Sequence, residues 1–171
     1  MIVLLMGVAG AGKTAVGERL AARLGWAFLD GDDLQPGANL RKMAAGEPLD
    51  DADRRPWLAA LAEILARHER DGTHVVVACS ALKESYRREL LAAAPSARLV
   101  YLRGERALLE ERLGRREGHF FPAGLLASQL ATLEEPPHGT AIVVEVDAPL
   151  EGVVDRVVAA LGRRAAAGAG P

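Results

Sequence analysis

A chain of 171 residues with a net charge of −2 fits one domain with a full core and has no general attraction for nucleic acid, so any polyanion site must be local. Half of the residues are apolar but only 4% are aromatic, which leaves packing to Leu, Val and Ala. One cysteine, Cys79, excludes an internal disulfide framework and suits a reducing compartment. No run approaches the ~18 apolar residues of a membrane span, and Ile2–Met6 is short and lacks a basic flank. A soluble, cytoplasmic protein without membrane partners is expected.

Ile2–Met6 reads as a buried strand, and Val16, Leu20 and Leu24 then recur at helical spacing. Trp26–Leu29 is a second strand, ending in the acidic turn "DGDD". Residues 34–52 carry Pro36, Gly37, Gly46 and Pro48 without a clear period and read as a loop-rich insert. Asp53 is expected to cap the next helix, with Pro56 in its first turn and Trp57, Leu61, Ile64, Leu65 and His68 on its apolar face. His74–Ala78 is a third strand, followed by a helix striped by Leu82, Tyr86 and Leu90.

Arg98–Leu102 is a fourth strand, leading into an Arg-rich helix over 105–116 that "EGHFFP" interrupts. A further helix begins over Ala123–Leu133, and Ala141–Val146 is the fifth strand. Leu150, Val153, Val154, Val157, Val158 and Leu161 mark the apolar stripe of the last helix, and "GRRAAAGAGP" is expected to fray. Alternation of this kind predicts an α/β domain whose parallel sheet is covered on both faces.

Gly7, Gly10, Gly12, Lys13 and Thr14 satisfy G-x-x-x-x-G-K-[ST] between the first strand and the first helix. Glycines there let backbone N–H groups turn inward, and the helix N-terminus adds positive charge. Lys13 would reach the β- and γ-phosphates of a nucleotide, and the Thr14 hydroxyl would ligate Mg²⁺. The basic residues divide into 18 Arg and three Lys, namely Lys13, Lys42 and Lys83, so a lysine stands out wherever it occurs.

Asp30, Asp32 and Asp33 lie at the carboxyl end of the second strand, the edge where open α/β sheets bind ligands. Asp32 is the expected acceptor of a hydroxyl proton, with Asp30 assisting and Asp33 capping, although an acidic turn alone would carry the same residues. Arg112, Arg115 and Arg116 share one helical face and would close over a transferring phosphoryl group, or else form a solvated face paired with Glu110 and Glu111. Lys83 and Arg87, one turn apart after the third strand, suit an anionic substrate group or a surface pair. His119 stands beside the interruption and could contact substrate, and Cys79 reads as a small buried filler.

Over nearly its whole length the chain resembles the gluconokinase family of small P-loop kinases. The likeness runs through "MGVAGAGKT", "LGWAFLDGDDLQP", "NLRKMAAGEPLDDADRRPWL", "CSALKESYRRELL", "REGHFFPAGLLASQLATLEEP" and "VDAPLEGVVDRVV". The first of these is common to many proteins, whereas "KMAAGEPLDDADRRPWL" and "CSALKESYR" are far more specific. The resemblance implies a P-loop NTPase of the nucleoside-monophosphate-kinase-like class, with a five-stranded parallel sheet in order 2-3-1-4-5, a substrate insert and a lid. It implies transfer of the γ-phosphoryl of ATP, with Mg²⁺, to the 6-hydroxyl of D-gluconate, feeding the pentose phosphate or Entner-Doudoroff route.

Carried over by position, Gly7, Gly10, Ala11, Gly12, Lys13, Thr14 and Ala15 take the nucleotide, with Thr14 on the metal. Asp32, Asn39, Lys42, Arg54, Lys83, Arg87 and His119 take the substrate, and Lys13, Asp32, Arg112 and Arg116 carry the catalysis. The implied layout is one kinase domain over 1–162, with the insert near 33–56, the lid near 112–124, a disordered tail over 163–171, and a homodimer as the expected assembly.

Two departures stand out. Gln35 precedes Pro36 where the family usually has His, and Phe121 stands in the lid where Met is common. Gln keeps donors and an acceptor but carries no proton charge. A shikimate kinase is the nearest rival, since its substrate is also a polyhydroxy acid, and the long insert argues against it. A nucleoside-monophosphate kinase lacks support because the insert suggests no base pocket, and a non-catalytic ATP sensor is at odds with Lys13, Thr14 and Asp32 being present together.

Overall fold

The computed structural model describes residues 1–115 and 123–167. Strands β1 (Ile2–Met6), β2 (Ala27–Asp30), β3 (Val75–Ala78), β4 (Arg98–Arg103) and β5 (Ile142–Glu145) form one sheet in order β2-β3-β1-β4-β5, all neighbours parallel. This is the order the resemblance implied. β1 lies at the centre and is buried on both faces, which is why it is apolar without alternation.

Helices cover both faces. Val3 and Leu5 of β1 pack with α1 (Lys13–Leu24), α5 (Arg106–Gly114), α6 (Ala123–Thr132) and α7 (Leu150–Ala167). Ile2, Leu4 and Met6 point the other way, into a core made with α3 (Asp51–Arg70) and α4 (Glu84–Ala93). Leu20, Leu61, Leu65 and Leu90 are fully buried in these two layers. Each such leucine stabilises the fold by about 1.5–3 kcal/mol. Among the described residues, no helix is long and apolar enough to cross a membrane.

The structure corrects the sequence reading at several points. The insert is not all loop: α2 (Gly37–Ala44) forms directly after Pro36, whose fixed φ suits the residue entering a helix. Asp53 does not cap α3; Asp50 does, and Asp53 closes a reciprocal capping box from the third helical position. Pro56 therefore sits deeper than the first turn, where it brings no N–H to the helical hydrogen-bond ladder. Leu150 is 37% exposed and faces the ligand cleft rather than the core. Finally, α7 continues to Ala167, well into the stretch read as a tail.

Candidate active site

The carboxyl edge of the sheet opens into a cleft of about 710 Å³. Its floor is the loop between β1 and α1, where Gly7, Gly10 and Gly12 have φ of 148°, 82° and 85°. A side chain at Gly7 would place its Cβ 2.7 Å from the Leu102 carbonyl oxygen, so the loop needs glycine for space as well as for φ. Gly12 caps α1 without a side-chain hydrogen bond, leaving the first-turn N–H groups to a ligand. Lys13 Nζ donates to the Val8 carbonyl at 3.2 Å, folded along the loop that it would span to reach phosphates.

β2 ends on the opposite wall, and the three aspartates at and just beyond its end separate by role. Asp30 accepts the Thr14 hydroxyl at 2.6 Å and the Asp32 N–H at 3.0 Å, so Asp30, not Asp33, caps the short 3₁₀ turn Gly31–Leu34. The Thr14 hydroxyl and the Asp30 carboxylate thus set two hard oxygens side by side next to the phosphate loop. Such a pair fits Mg²⁺, which takes few protein ligands and completes its shell with phosphate and water. Asp32 lines the cleft with Lys13 and Thr14. Its side chain meets the cleft's solvent but is enclosed by protein on its other sides, and this desolvation raises its pKa. Lys13 opposes the shift, and Asp30 and Asp33 add to it.

The turn that carries Asp32 is anchored from below. Trp57, fully buried, donates its indole N–H to the Gly31 carbonyl at 2.6 Å. Cys79 is buried beneath the same edge, where desolvation pushes its thiol up to about 12, in keeping with a filler rather than a nucleophile.

The expected substrate cations fare unevenly. Arg54 does line the cleft, with its guanidinium 5.9 Å from the centre of the Tyr86 ring. Lys42 is instead paired with Asp53, both carboxylate oxygens lying 2.8 Å from Nζ, which raises the lysine's pKa and lowers the aspartate's. Lys83 is paired with Asp51 at 2.7 and 2.9 Å and lies against the Tyr86 ring. Tyr86 also donates its hydroxyl to Asp51. Arg87 is buried and donates to the carbonyls of Ala81 and Leu82, at 3.0 and 2.9 Å. None of Lys42, Lys83 and Arg87 lines the cleft.

Asn39 is also buried, and its amide nitrogen donates to Gln35 Oε1 at 2.9 Å and to the Asp53 carbonyl at 2.8 Å. It is therefore a staple of the insert, not a residue of the cleft wall; the wall at this point is Gln35. Asn39→Ala is expected to cost about 1–3 kcal/mol, because a buried Gln35 oxygen and the part-buried Asp53 carbonyl lose their donor, and urea unfolding would measure it.

The arginine face divides as well. Arg115 pairs with Glu111 at 2.6 Å on the surface, the solvated alternative. Arg112 borders the cleft, but its guanidinium donates to the Val146 carbonyl at 2.6 Å and reaches that of Ala148 at 3.4 Å, tying α5 to the β5–α7 connection. Arg116, His119 and Phe121 lie outside the described residues.

Several cleft residues carry no motif that sequence reading could use. Gln129 of α6 accepts the Ala9 N–H at 2.7 Å, closing α6 onto the phosphate loop. Leu113, Ala148, Leu150 and Val153 give the cleft an apolar end beside Arg112. Ser80 enters from the loop after β3, where Ala81 holds a left-handed φ of 43° despite its side chain. That conformation costs a non-glycine residue about 1–2 kcal/mol.

A phosphate loop on a 2-3-1-4-5 parallel sheet, with an aspartate lining the same cleft as its lysine, defines a P-loop kinase of the nucleoside-monophosphate-kinase-like class. Residues 2–136 match the family model described as an AAA domain. The chain is 46% identical over 155 residues to the thermoresistant gluconokinase of Escherichia coli K12, covering 90% of this chain and 89% of that one. It is 51% identical over 134 residues to a gluconokinase of Gluconobacter oxydans 621H, covering 78% and 75%. The crystal structure of a gluconokinase from Sinorhizobium meliloti 1021 superposes with a TM-score of 0.86 at 46% identity, covering 94% and 91%. The chain belongs to the gluconokinase family.

Proposed function

We propose that this enzyme transfers the γ-phosphoryl of ATP to the 6-hydroxyl of D-gluconate, giving 6-phospho-D-gluconate and ADP. The observation that carries the reading is the pairing of near full-length kinship to gluconokinases with a cleft that sets Asp32 opposite Lys13. Gly7 and the run Gly10 to Ala15 hold the triphosphate, with the base toward the apolar end at Leu113, Ala148 and Val153. Asp32 takes the hydroxyl proton as the oxygen attacks, and its raised pKa makes it a stronger base than an ordinary surface aspartate. Arg54 is the cation that faces the acceptor end, and it is our candidate for the substrate carboxylate.

Thr14, with Asp30 behind it, would hold Mg²⁺, which would supply positive charge beside the phosphates. Arg116 and His119 are assigned to the lid by position alone. One kinase domain, with its insert near 33–56 and lid near 112–124, accounts for these roles, and the cytoplasm is the compartment that supplies ATP. The test is ADP release with Mg²⁺-ATP across gluconate, related sugar acids, shikimate and no acceptor. Turnover on gluconate alone supports the proposal. Turnover on another acid would make Gln35, on the cleft wall, the first residue to exchange for His, and ATP binding without any acceptor would revive a sensor.

A further inference from the structure

The parallel register puts three loops side by side at the edge of the sheet. Leu5, Ala78 and Asp30 are aligned across β1, β3 and β2. Two residues further along each strand stand Gly7, Ser80 and Asp32. Ser80 therefore lies between the start of the phosphate loop and the candidate base, and it lines the same cleft. Among the described residues its hydroxyl makes no hydrogen bond, whereas the carbonyls of Ser80, Ala81 and Leu82 all accept one.

The Ser80 carbonyl accepts the Gly7 N–H at 3.3 Å, which joins this loop to the phosphate loop. The next two carbonyls, of Ala81 and Leu82, both accept from buried Arg87, and Leu82 also accepts the Glu134 N–H at 2.9 Å. Ala81 between them is buried and left-handed. A backbone outlier held by a buried arginine persists where its surroundings over-determine it, and such outliers cluster at functional sites. The side chain that this arrangement delivers to the cleft is Ser80.

We propose that Ser80 is a further substrate-contacting residue, whose hydroxyl donates a hydrogen bond to the γ-phosphoryl group as it passes from the phosphate loop to the acceptor oxygen before Asp32. Arg87 is its positioning residue, acting through the Ala81 and Leu82 carbonyls. No bond to Ser80 forms or breaks; the hydroxyl keeps its proton throughout. A donor aimed at charge that develops in transfer lowers the barrier more than it tightens the ground state. The proposal rests on the kinase reading of this cleft.

Ser80→Ala removes no hydrogen bond within the described protein, so function and stability separate in one variant. Its kcat on gluconate is expected to fall about 10- to 100-fold, with KM for ATP and gluconate within about twofold and the thermal midpoint unchanged. Arg87→Lys is expected to lower both kcat and the thermal midpoint, and Ser80→Ala should then cost less in that background. Slow ATP hydrolysis without acceptor is followed in parallel, because transfer to water uses the same phosphoryl path. If wild type ignores gluconate, the substrate assignment fails, and loss of this hydrolysis in Ser80→Ala still decides the role of Ser80. Wild-type kcat and hydrolysis in Ser80→Ala overturn the proposal, as does a fall in kcat matched by a fall in thermal midpoint.

Discussion

Lys13→Ala is expected to reduce kcat/KM by about 10³-fold and to weaken ATP binding at the same time, measured by ADP release and by direct nucleotide titration. Backbone N–H groups of the loop remain in the variant, so some phosphate affinity should persist. What is lost is the mobile ammonium, which now rests on the Val8 carbonyl and would follow charge as it moves between phosphate oxygens. Lys13→Arg should not rescue it, because a planar fork cannot fit a loop shaped for a compact cation. There is a second consequence. The Lys13 charge holds the Asp32 pKa down against desolvation, so removing it should shift the acid limb of any residual activity to higher pH. Retained turnover in Lys13→Ala would take this loop out of the chemistry.

How the sequence anticipates these residues, and where it stops, follows from what local pattern encodes. The phosphate loop is legible because its glycines, lysine and threonine are contiguous and lie between a strand and a helix of clear period. Asp32 is legible because it follows directly from a strand end. The cations were harder. Position along the chain puts Lys42 in the insert and Lys83 and Arg87 one turn apart after the third strand, but it does not say that Asp53, Asp51 and two carbonyls will occupy them. Asp30 takes the capping part expected of Asp33 because a cap depends on where the chain turns, and the 3₁₀ turn begins at Gly31, directly after Asp30.

Ser80 and Gln129 carry no local signal for a different reason. Each reaches the phosphate loop across a long sequence separation, through strand register in one case and helix docking in the other. The α2 helix escapes a reading of the sequence because Pro36 and Gly37 read as loop residues when they mark its entry. The insert's own chemistry makes the same point, since Asn39 is polar yet spends its amide on Gln35 and Asp53 rather than on the cleft.

Asp32→Asn is expected to lower kcat by about 10²- to 10⁴-fold while leaving ATP affinity nearly intact, since the amide keeps the shape but cannot accept the hydroxyl proton. The pH dependence should identify the residue. Desolvation, aided by Asp30 and Asp33, raises the Asp32 pKa above the ordinary aspartate value, so the acid limb of kcat/KM in the wild type should lie above that range. The limb should vanish from the residual activity of the variant. Stability should move the opposite way from activity. A carboxyl whose pKa is raised by folding holds its proton more tightly in the native state than in the unfolded chain. Native stability therefore falls as pH climbs from the unfolded to the folded pKa, and the penalty is complete at neutral pH. Asn removes it, so the variant should unfold at an equal or higher temperature than wild type at pH 7, with the gap closing as pH drops below the aspartate range. An inactive variant that is also less stable at pH 7 would mean that Asp32 holds the turn together, and the proton acceptor would then have to be sought at Asp30 or Asp33.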